Sequence, residues 1–123
     1  MTSSQIQTYR DLRVWQKGMD IATDCYQLTH KFPQEERYGL TSQIRRAATS
    51  IPANIAEGYG RDSKGEYIQF LRYAQGSLKE LETHLFLAVR VQITTNTVIN
   101  PVLSQCDSLG KMLRSLIRSL QNS

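Results

Sequence analysis

Two cysteines in 123 residues are too few for a disulfide framework, and Cys25 and Cys106 read as reduced, buried thiols. No stretch approaches the roughly 18 uncharged apolar residues that cross a bilayer. Residues 1–8 are polar and lack the apolar centre of a secretory signal. These absences predict a cytoplasmic protein with no membrane partner. Charge of one sign is also sparse: 15 Lys plus Arg against 11 Asp plus Glu leave a net +4. That excess permits a polyanionic partner without demanding one.

Catalytic signatures are missing as well. There is no G-x-S-x-G elbow, and neither His30 nor His84 has a recognisable partner. Gly58-Tyr59-Gly60-Arg61 lacks the preceding strand and the lysine-serine ending of a phosphate loop. Cys25, Cys106, His30 and His84 share no metal-ligand spacing. Glu80 and His84 stand four apart, where a di-iron bundle repeats Glu-x-x-His. The expectation is a non-enzyme without cofactor, metal or small-molecule substrate, acting through partners.

What is present is helical periodicity. After a polar leader over residues 1–8, one domain is expected over 9–121. The first segment, residues 11–31, carries Leu12, Trp15, Met19, Ala22 and Tyr26 at steps of three or four, widened by Cys25 and Leu28. Phe32-Pro33 closes it. The second, residues 40–59, carries Leu40, Ile44, Ala48, Ile51 and Ile55, with Pro52 inside and Gly58 and Gly60 as flexible or left-handed stops. The third opens on Ser63-Lys64-Gly65-Glu66, a capping-box spacing, and runs to about residue 91. Its Tyr67, Leu71, Ala74, Leu78, Leu81, Leu85 and Ala88 alternate steps of four and three, the seam of a shallow helix crossing. Residues 94–97 read as its last turn. Asn100-Pro101 reads as the cap of a fourth helix, with a start near Thr97 also open, carrying Cys106, Leu109, Leu113, Leu116 and Leu120. Four amphipathic helices on short links predict an all-α, antiparallel up-down four-helix bundle.

Two polar patterns are candidates for function. Gln43, Ser50, Asn54 and Glu57 line one edge of the second helix, flanked by Arg45 and Arg46. Amides and a hydroxyl there suit backbone contacts or a polar core layer better than a ligand site. Arg45 or Arg46 is expected to pair with Glu57 or a glutamate of the third helix, within or across subunits. Lys111, Arg114 and Arg118 step along the last helix, and Arg10, Arg13 and Lys17 along the first. The helix macrodipole alone accounts for cations near a C-terminus. If the two basic stripes meet on one surface, they form an anion-binding patch.

The motifs Asp11-Leu12-Arg13-Val14-Trp15-Gln16-Lys17, Phe32-Pro33-Gln34-Glu35-Glu36-Arg37-Tyr38-Gly39-Leu40 and Ser42-Gln43-Ile44-Arg45-Arg46-Ala47-Ala48 closely resemble the bacterial "four helix bundle protein" family. Ser50-Ile51-Pro52-Ala53-Asn54-Ile55-Ala56-Glu57-Gly58 and Gly76-Ser77-Leu78-Lys79-Glu80-Leu81-Glu82-Thr83 extend the likeness to nearly the whole chain. This is the 23S rRNA intervening-sequence protein family, some of whose members are encoded in inserts within 23S rRNA genes. The resemblance implies a small helical bundle, with several members forming homopentameric rings, and it brings no catalytic residues. It also implies a likeness in fold to the accessory variability determinant of diversity-generating retroelements, a basic ring that binds a reverse transcriptase and nucleic acid. Two functions follow as expectations. One is a ring-forming scaffold that binds RNA or DNA through its basic stripes. The alternative is an interaction partner of a reverse transcriptase.

Overall fold

Apolar residues at steps of three and four fold the chain into four helices: α1 (Arg13–Thr29), α2 (Leu40–Tyr59), α3 (Lys64–Arg90) and α4 (Asn96–Gln121). The computed structural model describes residues 5–123, and there is no strand among them. Residues 1–4 of the expected leader lie outside the described residues. Helix α1 packs on α2, α2 on α3, α3 on α4, and α4 back on α1. One apolar core fills the space between them.

The α3 seam carries that core. Leu71, Ala74, Leu78, Leu81, Leu85 and Ala88 are buried and Tyr67 is partly so. Burial of each large member contributes roughly 1.5–3 kcal/mol before entropy is set against it. Ser63 caps the helix, its Oγ accepting from the Glu66 N–H at 3.1 Å. The Glu66 carboxylate does not return the bond to the backbone; it accepts from the Ser63 hydroxyl at 3.2 Å. A fully reciprocal box forms instead at Thr8, which precedes a short 3₁₀ turn over Tyr9–Asp11. The Asp11 carboxylate accepts the N–H groups of Gln7 and Thr8 at 2.9 and 3.1 Å. Those bonds hold its pKa below the ordinary carboxylate value.

Helix α1 is rotated from the expected phase. Val14, Gly18, Ile21, Ala22 and Cys25 face the core, while Met19 and Tyr26 are 41% and 46% exposed. The cause is the crossing with α2. A Cβ on Gly18 would stand 3.4 Å from Ile51 and Pro52, so the two helices touch there. Side chains as large as Trp15 and Met19 do not fit at such a crossing and sit beside it.

Helix ends differ from expectation at three places. In α2, neither Gly58 nor Gly60 is left-handed; Gly60 has φ −81°. Gly58 lies inside the helix, where a Cβ would approach that of Phe70 to 2.6 Å. Helix α3 ends at Arg90 on Gln92, a non-glycine residue at φ 66°. Ile93 N–H donates to the Ala88 carbonyl at 2.8 Å and Gln92 N–H to Val89 at 3.0 Å, the paired bonds of a Schellman cap. Residues 94 and 95 therefore form the link rather than a last turn. The cap of α4 is Thr95, whose side chain accepts from Val98 N–H at 3.3 Å, not Asn100. The earlier start buries Ile99 and leaves Pro101 inside the helix. Ile117 takes the core position that Leu116 and Leu120 share only in part.

Candidate nucleic-acid interface

The flank of α3 just outside its apolar seam meets the flank of α4 along an open groove of about 510 Å³. Arg72, Lys79 and Glu82 come from α3, and Asp107, Arg114 and Arg118 from α4, with Leu78 and Ile117 forming the floor. The cations fall here because residues at i, i+4 and i+7 share a helix flank: Arg114 with Arg118, and Arg72 with Lys79.

The carboxylates are already engaged. Glu82 Oε1 lies 3.1 Å from Lys79 Nζ, and Asp107 Oδ2 lies 3.3 Å from Lys111 Nζ. Among the described residues, Arg72, Arg114 and Arg118 have no carboxylate partner. All three are exposed. Three planar, permanently charged forks on one groove suit phosphate oxygens, which guanidinium groups bind bidentately.

The sequence pointed to two of the three. Arg114 and Arg118 line the groove; Lys111 is tied to Asp107 beside it. Arg72 escaped notice because the α3 seam drew attention to apolar positions; its seven-residue step to Lys79 was the available signal. The stripe of helix one lies elsewhere. Gln105 Nε2 donates to Asp24 Oδ2 at 2.6 Å, marking the side of α4 that faces α1. Arg114 and Arg118 occupy the side that faces α3, so the stripe of Arg10, Arg13 and Lys17 does not join them. Arg10 and Arg13 are exposed at the start of the chain's first turns, and Lys17 is half-buried on α1.

On the polar edge of α2, Ser50 and Asn54 bond within the chain. Asn54 Nδ2 donates to the Ser50 carbonyl at 2.8 Å, and the Ser50 and Ser77 hydroxyls are hydrogen-bonded at 2.8 Å across α2 and α3. Arg45 reaches α1, not Glu57. Its Nε donates to Thr29 Oγ1 at 2.9 Å, its Nη2 to the Tyr26 carbonyl at 3.3 Å, and its guanidinium stacks 4.4 Å from the Tyr26 ring. Glu57 pairs with Arg61 at 2.6 Å, one turn on, rather than with Arg45 or Arg46. The Glu57 pair is local: one helical turn separates Glu57 from Arg61, whereas Arg45 lies three turns back. Gln43 and Arg46 are exposed.

Other reactive groups are muted. Burial pushes the Cys25 thiol up to about 12, with Cys106 and Asp24 adding to it. Burial likewise raises Cys106 to about 12, helped by Glu82 and opposed by Lys79. No group of three His, Cys, Asp or Glu side chains able to hold a metal occurs among the described residues. No helix among them is long and apolar enough to cross a membrane.

Comparison with known proteins finds a family model and solved structures that match. A family described as 23S rRNA-intervening sequence protein matches residues 10–115. A crystal structure of a protein with unknown function from the S23 ribosomal protein family of Bacteroides thetaiotaomicron is similar, with a TM-score of 0.78 and 28% identity. The similarity covers 85% of this chain and 97% of that one. No curated protein matches.

Proposed function

The chain belongs to the 23S rRNA-intervening sequence protein family, and from that premise we propose that it is a cytoplasmic, non-enzymatic, ring-forming bundle that binds RNA or DNA. The observation that carries this is the row of Arg72, Arg114 and Arg118, three guanidiniums without carboxylate partners on one groove. An uncompensated cation row costs the isolated chain self-repulsion and is offset when phosphates neutralise it. Helix directions agree with an antiparallel up-down bundle: Gly18 meets Ile51, Tyr26 meets Arg45, Ser50 meets Ser77 and Lys64 reaches Ser123. In that arrangement the groove runs between Arg72–Glu82 of α3 and Cys106–Gln121 of α4. The ring, a homopentamer by the likeness noted above, would repeat the row once per subunit and multiply modest contacts.

Labelled structured RNA and duplex DNA, titrated across a salt series, test the assignment. The logarithm of affinity should fall with a slope of about −0.9 per phosphate neutralised on duplex DNA. Replacing Arg72, Arg114 and Arg118 together by Ala should flatten that slope by about 2.7. Absence of binding at low salt overturns the nucleic-acid function. Affinity restored only by an added reverse transcriptase would favour the accessory role instead.

A further inference from the structure

Two open grooves run along the bundle. The one between α1 and α2, about 630 Å³, has no charged residue in its lining and offers a polyanion nothing. The one between α3 and α4 holds the three guanidiniums, and its charge is unevenly spread. Lys64 Nζ reaches the main-chain oxygen of Ser123 at 2.6 Å, so the start of α3 lies beside the end of α4. Arg72 therefore stands towards the same end of the groove as Arg114 and Arg118. The other end is neutralised by ion pairs, Lys79 with Glu82 and Lys111 with Asp107. Phosphates are drawn to the arginine end and kept from the carboxylates of the other.

Two features of this groove have no part in folding the chain. Gln75, half-buried between Arg72 and Lys79 on the α3 flank, lines the groove, and its side-chain amide makes no hydrogen bond among the described residues. Gly110 lies in the interior of α4, where glycine weakens a helix relative to alanine. Close packing does not account for it: an added Cβ would meet nothing within 4 Å, in contrast to Gly18 and Gly58. What the missing side chain leaves is space in the groove, beside the floor of Leu78 and Ile117. Guanidiniums, a free amide and a bare stretch of helix thus line one slot. They match the parts of an unpaired nucleotide: phosphate, base edge and flat base face.

A duplex uses only the first of these. Its base edges lie at the bottom of its own grooves, about 8.5 Å deep in B-DNA, so a recessed amide on a concave surface does not reach them. A volume of about 510 Å³ is that of a small-molecule site and takes a short stretch of one strand. We propose that the α3–α4 groove receives a single nucleic-acid strand, with an unpaired base laid over Gly110 and its edge read by Gln75. The proposal rests on the nucleic-acid reading above and names the form of the strand. A glutamine amide pairs bidentately with N6 and N7 of adenine, so Gln75 gives the site a preference for that base. Arg72, Arg114 and Arg118 supply affinity without choosing a base.

The test measures binding of the full chain at low salt to labelled oligoadenylate and oligouridylate single strands, and to the oligoadenylate annealed to its complement, with DNA counterparts run beside the RNA. The oligoadenylate single strand should bind about tenfold more tightly than either comparison, the margin over uridylate being that of one bidentate pair. Gln75→Ala should remove the preference for adenylate and leave the salt slope unchanged. Gly110→Leu puts an uncharged, helix-favouring side chain into the groove. It should raise Tm, read by circular dichroism, yet weaken single-strand binding about tenfold and leave duplex binding unaltered. Because that variant gains helix stability, its lost binding is not a failure to fold. The inference is overturned if Gln75→Ala keeps the adenylate preference, or if Gly110→Leu binds single strands as the wild type does. It is overturned too if in neither RNA nor DNA the single strand outbinds its annealed form. In each of these cases a salt slope still set by Arg72, Arg114 and Arg118 leaves the nucleic-acid function standing. Absence of binding to every probe removes both.

Discussion

Gly58→Ala and Gly76→Ala make the same chemical change in two helix interiors and should move stability in opposite directions. Alanine is favoured over glycine by about 1 kcal/mol in a helix, chiefly because the unfolded chain loses freedom. At Gly76 an added Cβ meets nothing within 4 Å, so that gain should appear nearly whole. At Gly58 the new Cβ would stand 2.6 Å from the Phe70 Cβ, 3.2 Å from Tyr67 Cδ1 and 3.3 Å from the Tyr67 carbonyl oxygen. Two of those neighbours are fixed close to the α3 backbone and cannot swing aside. Helices α2 and α3 must therefore separate, an overpacking cost of roughly 1–3 kcal/mol, and more where backbones move. The net expectation is a loss of up to about 2 kcal/mol for Gly58→Ala against a gain of about 1 kcal/mol for Gly76→Ala. For a chain of this length, 1 kcal/mol moves Tm by about 3–5 °C. Urea and thermal unfolding at one fixed protein concentration check it, since any self-association would make Tm concentration-dependent. If both variants gain stability, the close α2–α3 approach at Gly58 is refuted.

Three further outcomes follow from helix ends and buried thiols. Gln92→Gly should stabilise the chain by about 1 kcal/mol in urea unfolding, because a left-handed residue at φ 66° favours glycine; a loss would mean the Gln92 side chain holds the cap. Pro101→Ala, at an exposed site one turn into α4, should restore a backbone donor to the Thr97 carbonyl and raise stability by up to about 3 kcal/mol. Gln92 acts at the end of α3 and Pro101 on the Thr97 carbonyl inside α4, with no shared hydrogen-bond partner, so the two gains should add. Cys25 and Cys106, raised from 9.0 to about 12 by burial, stay protonated in the folded chain when the unfolded chain has ionised. Their contribution to stability is thus complete below about pH 9 and is lost as pH climbs from 9 towards 12. A thiol-specific disulfide reagent at pH 8 should react slowly with the folded protein and rapidly in urea; equal rates would refute the burial.

Legibility in the sequence tracked how local the deciding physics was. Helix α2 occupies the residues expected of it, since Leu40 to Ile55 keep one period and glycines follow. The α3 seam is buried as its spacing requires, because a strict four-three alternation faces only one direction. Two ends were missed for chemical reasons. Gln92 performs a role that glycine usually signals, and Thr95 outcompetes Asn100-Pro101 because its cap buries Ile99 as well.

The candidate site was partly readable. Arg114 and Arg118 announced themselves by spacing, but Arg72 joins them only across helices, at a distance of more than forty residues in the chain. Glu57 and Arg45 found partners one turn away and on α1, where pairing by charge alone had suggested each other's neighbourhood. Long-range neighbours depend on how the helices are rotated about their axes, which periodicity does not encode.

By itself, then, the sequence determined that there are four amphipathic helices, where three of them begin, which face of α3 is apolar, and the family signature carried by its motifs. Spacing and caps act within one or two turns, so they are complete in a linear string. Only the tertiary structure decided the phase of α1, the separation of the basic stripes, and the division of the surface into a cationic groove and an apolar one. Each of these follows from how closely two helices approach. Gly18 against Pro52 and Gly58 against Phe70 set those distances, and a contact between residues far apart in the chain exists only once the chain has folded.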